Sequence, residues 1–72
     1  MAQLTHDEYD LLERAVTTGR RIAVYRRGTE FIVVPERLRV SGGRECIEAR
    51  NPTTGDHLTL FLDELDGFEV VG

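Results

Sequence analysis

The side chains that most often perform catalysis or bind metals are few in this sequence and lie far apart along it. The two histidines, His6 and His57, and the single cysteine, Cys46, fall on three different segments. No second histidine or cysteine stands at the spacing of a zinc site, and a cysteine within a strand usually packs without reacting. Adjacent carboxylates such as Asp63 and Glu64 need not converge on one substrate. The sequence therefore predicts a non-enzymatic protein with no metal and no other cofactor.

Charge divides the 72 residues into three blocks. Residues 1–13 carry four carboxylates and no arginine, which gives −4. Residues 14–50 carry all nine arginines and four glutamates, which gives +5, and residues 51–72 carry five carboxylates, which gives −5. These blocks add up to the net charge of −4, with a pI near 5.0. An acidic pI argues against a dedicated nucleic-acid binder, which usually carries net positive charge.

Two charged surfaces are candidate binding sites. Arginines flank the first predicted strand and share one face of the third, and the candidate anion-binding residues are Arg21, Arg26, Arg27, Arg44 and Arg50. They either form a solvated face of Arg–Glu pairs, each worth at most about 1 kcal/mol, or bind RNA or a nucleotide. Single-strand binders usually stack bases on several aromatic rings, whereas only Tyr25 lies near these arginines in sequence.

The acidic N-terminal segment is the other candidate. Asp7, Asp10 and Glu13 are predicted to lie on the side of a helix away from its apolar residues. They either keep that face soluble or dock it onto a basic protein partner.

A helix over residues 6–18 is the first element that the sequence predicts. Thr5 and Glu8 have the spacing of a capping box, and Leu4 and Tyr9 occupy the two positions of a hydrophobic staple. Gly19 supplies a residue that adopts the left-handed conformation after the last turn.

Alternating apolar residues after Gly19 predict five strands, over residues 21–27, 30–34, 44–50, 57–62 and 68–71. Turns are expected at Gly28-Thr29 and at residues 41–43, and residues 36–40 are expected to be irregular, with Leu38 filling the core. The fold class is mostly β with one N-terminal α-helix, a small five-stranded bent SH3-like or Sm-like barrel forming a single domain over residues 1–72. The helical and alternating spacings place ten residues in one core: Tyr9, Leu12, Val16, Ile22, Val24, Val33, Ile47, Leu58, Leu60 and Leu62.

The location expected from the sequence is the cytoplasm. One cysteine cannot close an internal disulfide, and the longest apolar run, Phe31 to Val34, is too short to cross a membrane. Residues 1–5 lack the basic and apolar stretches of a signal peptide.

The helix and the strands that follow resemble the Rof family, short bacterial inhibitors that bind the transcription terminator Rho. The family's Tyr-Asp-x-Leu-Glu-x-Ala pattern is matched by Tyr9, Asp10, Leu12, Glu13 and Ala15. Further positions similar to the family are Gly28, Leu38, Glu45 and the closing Leu62-Asp63-x-Leu65. The resemblance implies an Sm-like barrel that blocks the RNA-binding surface of Rho through acidic helix residues, here Asp10 and Glu13. The arginine-rich middle of this chain departs from the family, which is more acidic there.

A weaker resemblance is to the WYL domain, a ligand-sensing barrel of bacterial transcription regulators. It rests on the strand ending at Tyr25, the Val34-Pro35 step and the ending at residues 62–65. The Trp-Tyr-Leu signature falls at residues 45–47, where only Ile47 is similar, and the ligand-binding arginine expected before the closing turn is missing. This resemblance implies a module that binds nucleic acid or a nucleotide.

Overall fold

A computed structural model describes residues 4–72 of the chain. Residues 1–3 belong to the predicted domain and to the segment compared with signal peptides, and they lie outside the described residues. One α-helix, α1 (His6–Thr18), is followed by β1 (Ile22–Arg26), β2 (Thr29–Ser41), β3 (Arg44–Arg50) and β4 (His57–Phe61). A 3₁₀ turn, η1 (Leu62–Glu64), then leads into β5 (Gly67–Val70). The predicted fold class, mostly β with one N-terminal helix, is confirmed.

Both ends of α1 form as the sequence predicts. The Glu8 amide donates to the Thr5 hydroxyl at 3.2 Å, and the Thr5 amide donates to the Glu8 carboxylate at 2.9 Å. Gly19 ends the helix with φ 68°, a left-handed conformation. Residues with a Cβ atom are strained in this conformation, whereas glycine adopts it readily. The helix buries Leu12 and Ala15 against the sheet.

The five strands form one antiparallel sheet in the order β4-β3-β2-β1-β5. β2 is shared between two halves of this sheet, because its first part pairs with β1 and its second part pairs with β3. β4 and β5 lie at the two edges, and within residues 4–72 no ladder joins them. Closure of the sheet into a barrel therefore stays a prediction.

The prediction that residues 36–40 are irregular is wrong, because β2 continues through them to Ser41. The register shifts between Pro35 and Arg37, which leaves Glu36 as the extra residue of a bulge. Proline has no backbone N–H to donate to the ladder, and a bulge lets the strand bend at that position and resume pairing beyond it. Leu38 is half-buried and packs against the core, as predicted.

Other predicted boundaries shift by one residue: β1 is shorter by one residue at each end, β2 begins one residue earlier, and β5 lies one residue earlier than predicted. The first hairpin turn is at Arg27 and Gly28, with φ of 52° and 76°, which are the positive values that a tight two-residue hairpin turn requires. The fourth strand ends at Phe61 instead of Leu62, because Leu62 begins the 3₁₀ turn and is buried there.

The core is formed by ten buried residues: Leu12, Ala15, Ile22, Val24, Val33, Ile47, Ala49, Leu60, Leu62 and Leu65. Seven of them were predicted. Tyr9, Val16 and Leu58, which were also predicted, are only half-buried. The predicted core lacked Ala15, Ala49 and Leu65. Leu65 follows the 3₁₀ turn η1 and lies in no helix or strand, so neither helical spacing nor alternation applies to it.

Candidate functional site

The acidic residues of α1 have few partners of their own. Asp7, Asp10 and Glu13 are all exposed, and within residues 4–72 no arginine forms an ion pair with any of them. Within residues 4–72 these carboxylates take part in one ion-pair contact, in which the His6 Nε2 atom is 3.9 Å from Asp10 Oδ2 on the same helix. Arg14 is exposed on this helix as well. Among the residues that the structure describes, the helix therefore presents three carboxylates that no arginine pairs with.

Glu13 lies at the border of that face, not on the side fully opposite the apolar residues. It lines a cleft of about 410 Å³ with Tyr9 and Val16 of α1 and with residues 36–38 of β2. The Tyr9 hydroxyl is hydrogen-bonded to Glu45, which raises the pKa of Tyr9 above its ordinary value. Asp7 and Asp10 do not line this cleft, so the predicted face divides into an exposed helix surface and a cleft edge.

Arg44 is held by a compact set of partners. Its Nε atom donates to Asp63 Oδ2 at 2.9 Å, and its Nη2 atom donates to Asp63 Oδ1 at 2.7 Å and to Glu64 Oε2 at 3.0 Å. The guanidinium carbon is 4.0 Å from the centre of the Phe61 ring. The hydrogen bonds to Asp63 raise the pKa of Arg44 and lower the pKa of Asp63.

Arg26 shares one of these carboxylates. Its Nη1 atom is 3.8 Å from Glu64 Oε1, and its guanidinium carbon is 5.3 Å from the centre of the Phe31 ring. The adjacent Arg27 donates its backbone amide to Asp66 at 3.0 Å, while its side chain forms no ion pair within residues 4–72. Glu64 therefore joins two arginines that lie on different strands.

The remaining two candidate arginines lie elsewhere. Arg50 is at the far end of β3, where its Nε atom is 3.5 Å from Glu36, and His57 Nδ1 is 3.1 Å from the same carboxylate. Arg21 precedes β1, at the end of that strand opposite Arg26. The five arginines therefore do not form one patch, and Arg26, Arg44 and Arg50 each contact carboxylates of this chain.

Sequence reasoning missed the aromatic residues at the arginine cluster. Phe31 and Phe61 lie under Arg26 and Arg44, although each is 5 or more positions away in sequence. Strand pairing explains both contacts. Arg26 and Phe31 are close because β1 pairs with β2. Arg44 and Phe61 are close because Cys46, two residues after Arg44 on β3, pairs with Phe61 on β4.

The histidines and the cysteine remain apart in the fold. Cys46 is 1 % exposed, His6 lies in the first turn of α1, and His57 begins β4. Across residues 4–72, no group of three or more His, Cys, Asp or Glu side chains is arranged to hold a metal ion. The same part of the chain contains no helix with the length and apolar character of a membrane span.

No protein-family model and no curated protein matches the chain.

Proposed function

We propose that this protein is a non-enzymatic regulatory module that docks the acidic side of α1 onto a basic surface of a protein partner. The resemblance to the Rof family suggests Rho as that partner and antitermination of transcription as the outcome. The contact residues are Asp7 and Asp10 on the exposed helix surface and Glu13 at the cleft edge.

The observation that carries the proposal is the unequal neutralisation of the two charged surfaces. Three of the five candidate arginines contact carboxylates within the chain, and Arg44 contacts two. The helix carboxylates Asp7, Asp10 and Glu13 have no arginine partner within residues 4–72. Charges without internal partners are available to steer a partner and to pair across an interface.

An alternative is binding of RNA or a nucleotide at Arg26, Arg27 and Arg44. The rings of Phe31 and Phe61 favour it, because bases stack on aromatic side chains. Both rings already contact guanidinium groups of this chain, and a phosphate at Arg44 must displace Asp63 and Glu64. The first proposal requires no such displacement.

The direct experiment is isothermal titration calorimetry. Purified Rho is titrated with the wild-type protein and, separately, with the Asp10→Lys/Glu13→Lys variant, and the two affinities are compared. A like-charge contact in an interface costs several kcal/mol, so we expect the variant to lose at least about tenfold in affinity. Asp56→Lys is the control for charge reversal outside the helix, because Asp56 is also exposed and lies in the loop before β4. Equal affinity of the Asp10→Lys/Glu13→Lys variant and the wild type, with both folded, would contradict the helix as the docking element.

A gel shift with single-stranded RNA separates the two proposals. Under protein docking, neither the wild type nor an Arg26→Gln/Arg27→Gln/Arg44→Gln variant shifts the RNA. Tight binding by the wild type that the arginine variant loses, and that weakens with added salt, would replace the first proposal with the second.

A further inference from the structure

The cleft between α1 and β2 has one wall on the helix and one on the strand. Tyr9, Glu13 and Val16 stand at spacings of four and three residues, so they share one side of α1 and form the helical wall. Leu38 lies on the opposite wall, beyond the bulge that bends β2. Tyr9, Val16 and Leu38 are half-buried, so part of each side chain stays open to solvent. The cleft therefore offers apolar surface and an aromatic ring to an occupant.

Two carboxylates at this cleft lack a cationic partner among the described residues. The Tyr9 hydroxyl is hydrogen-bonded to Glu45 of β3, and this bond, burial and the negative charge of Glu13 raise the pKa of Tyr9. Both carboxylates therefore lie near the hydroxyl. Within residues 4–72, no arginine or histidine forms an ion pair with Glu13 or Glu45.

The other two charged residues that line the cleft, Glu36 and Arg37, already have partners. Glu36 contacts two basic groups, and the Nε atom of Arg37 is 4.0 Å from Glu48. The negative charge that remains comes from Glu13 and Glu45. It is complementary to a cation that enters from outside the chain.

Apolar surface continues from the cleft toward the tip of the β2–β3 hairpin. Val40 lies on the same side of β2 as Leu38, because side chains two positions apart share a side of a strand. It is opposite Glu45 in the ladder and is 64 % exposed. An occupant that contacts both the cleft and Val40 is a segment of a protein chain, since a single free amino acid fills only the cleft.

We propose that an arginine side chain of the docked partner enters this cleft. Its guanidinium pairs with Glu13 and Glu45. Its methylene groups pack on Val16 and Leu38. Arginine fits because a guanidinium stacks on an aromatic ring and donates to more than one carboxylate, while its stem covers apolar surface. This assignment rests on the proposed docking of α1 and names the group that the basic surface supplies.

Nuclear magnetic resonance with N-acetyl-arginine amide tests the cleft without Rho. We expect the resonances of the cleft residues to shift as the probe reaches millimolar concentration, and we expect smaller shifts in Glu45→Gln. Glutamine keeps an accepting oxygen for the Tyr9 hydroxyl and removes the charge. Glu69→Gln is the matched control, because Glu69 accepts from the Tyr25 hydroxyl at 3.2 Å, outside the cleft. A probe that leaves the cleft resonances unmoved overturns the proposal.

Calorimetry with Rho tests whether the partner supplies the arginine. Glu45→Gln is expected to lose about fivefold in affinity, because a charge-assisted hydrogen bond becomes a neutral one, and added salt is expected to reduce this loss. Val40→Ser is expected to lose about threefold with an unchanged salt dependence, because it removes apolar contact. The controls Glu69→Gln and Val71→Ser, the latter at a valine that is 49 % exposed, are expected to bind as the wild type does.

Each variant is first checked by thermal unfolding, and only variants that keep the wild-type fold are compared. Wild-type affinity for Rho in Glu45→Gln and Val40→Ser, beside weakened binding by Asp10→Lys, overturns the arginine in the cleft and leaves α1 as the docking element. Asp10 does not line the cleft, so unchanged binding by Asp10→Lys instead contradicts the docking itself.

Two further outcomes assign the cleft to another occupant and overturn the proposal. Probe binding at the cleft, with neither Glu45→Gln nor Val40→Ser affecting Rho, indicates a site for a free basic amino acid. Self-association of the wild type that Glu45→Gln abolishes, measured by sedimentation equilibrium, indicates an arginine of a second copy.

Discussion

Arg44 and Asp63 form a two-point ion pair between the start of β3 and the 3₁₀ turn, 19 positions apart in sequence. The guanidinium presents two parallel donors to the two carboxylate oxygens, which is the strongest geometry available to this pair of groups. Phe61 supports the guanidinium from one side. The pair therefore attaches η1 to the edge of the hairpin formed by β2 and β3.

This ion pair predicts how stability depends on pH. Hydrogen bonding to Arg44 lowers the pKa of Asp63 in the folded protein, so the ionised carboxylate stabilises the fold at pH values above the ordinary value of 3.8. That contribution is lost as the pH falls from about 4 toward the lowered pKa. Asp63→Asn removes it, so the melting temperature of the variant is expected to fall less steeply with acid than that of the wild type.

Asp56→Asn is the control for this prediction, since Asp56 is an exposed carboxylate outside the ion pairs of residues 4–72. Thermal unfolding followed by circular dichroism between neutral pH and about pH 2 makes the measurement. Parallel pH profiles for the wild type and Asp63→Asn would show that the pair does not contribute to stability in solution.

Truncation of the core at Leu60 is expected to be costly. Leu60 is 2 % exposed and lies opposite Ile47, which is fully buried. Leu60→Ala removes three carbons from a packed site and is expected to lower the free energy of unfolding by roughly 2–5 kcal/mol. Urea unfolding measures this loss, and Thr59→Ala, an exposed change on the same strand, is expected to stay within about 0.5 kcal/mol of the wild type. An unchanged urea midpoint for Leu60→Ala would contradict the register of β4.

The cap of α1 predicts a smaller effect. Thr5→Ala removes the hydroxyl that accepts from the Glu8 amide and is expected to cost about 0.5–2 kcal/mol of stability. Thr5→Ser keeps an accepting oxygen and is expected to retain most of the wild-type value. Equal urea midpoints for Thr5→Ala and Thr5→Ser would show that the cap contributes little to stability.

The absence of a structural metal is predicted from the sequence. Cys46, His6 and His57 have no paired spacing, and metal sites need three or four ligands. Elemental analysis of the purified protein is expected to find no stoichiometric zinc, and a chelator is expected to leave the melting curve unchanged. One bound equivalent, with a lower melting temperature after its removal, would direct attention to His57 and Cys46.

Local sequence determined the helix and most strand positions of this protein. Thr5, Glu8 and Gly19 specify the ends of α1 through contacts within a few residues, and these ends form as predicted. Alternation of Ile22 and Val24 likewise specifies which side of β1 packs into the core cluster, although Ala23 on the other side is buried as well.

Tertiary structure decided the continuation of β2 and the state of the charged groups. A proline predicts that pairing ends or bends, and the tertiary structure decides between the two, because β3 supplies partners beyond Pro35 and the bulge at Glu36 lets the strand bend and continue. The partners of Arg26 and Arg44 come from η1, which follows β4, so no local pattern of arginines indicates that they are neutralised. The physical reason is that helix caps and strand alternation depend on neighbours in sequence, whereas ion pairs depend on which distant segments the sheet brings together.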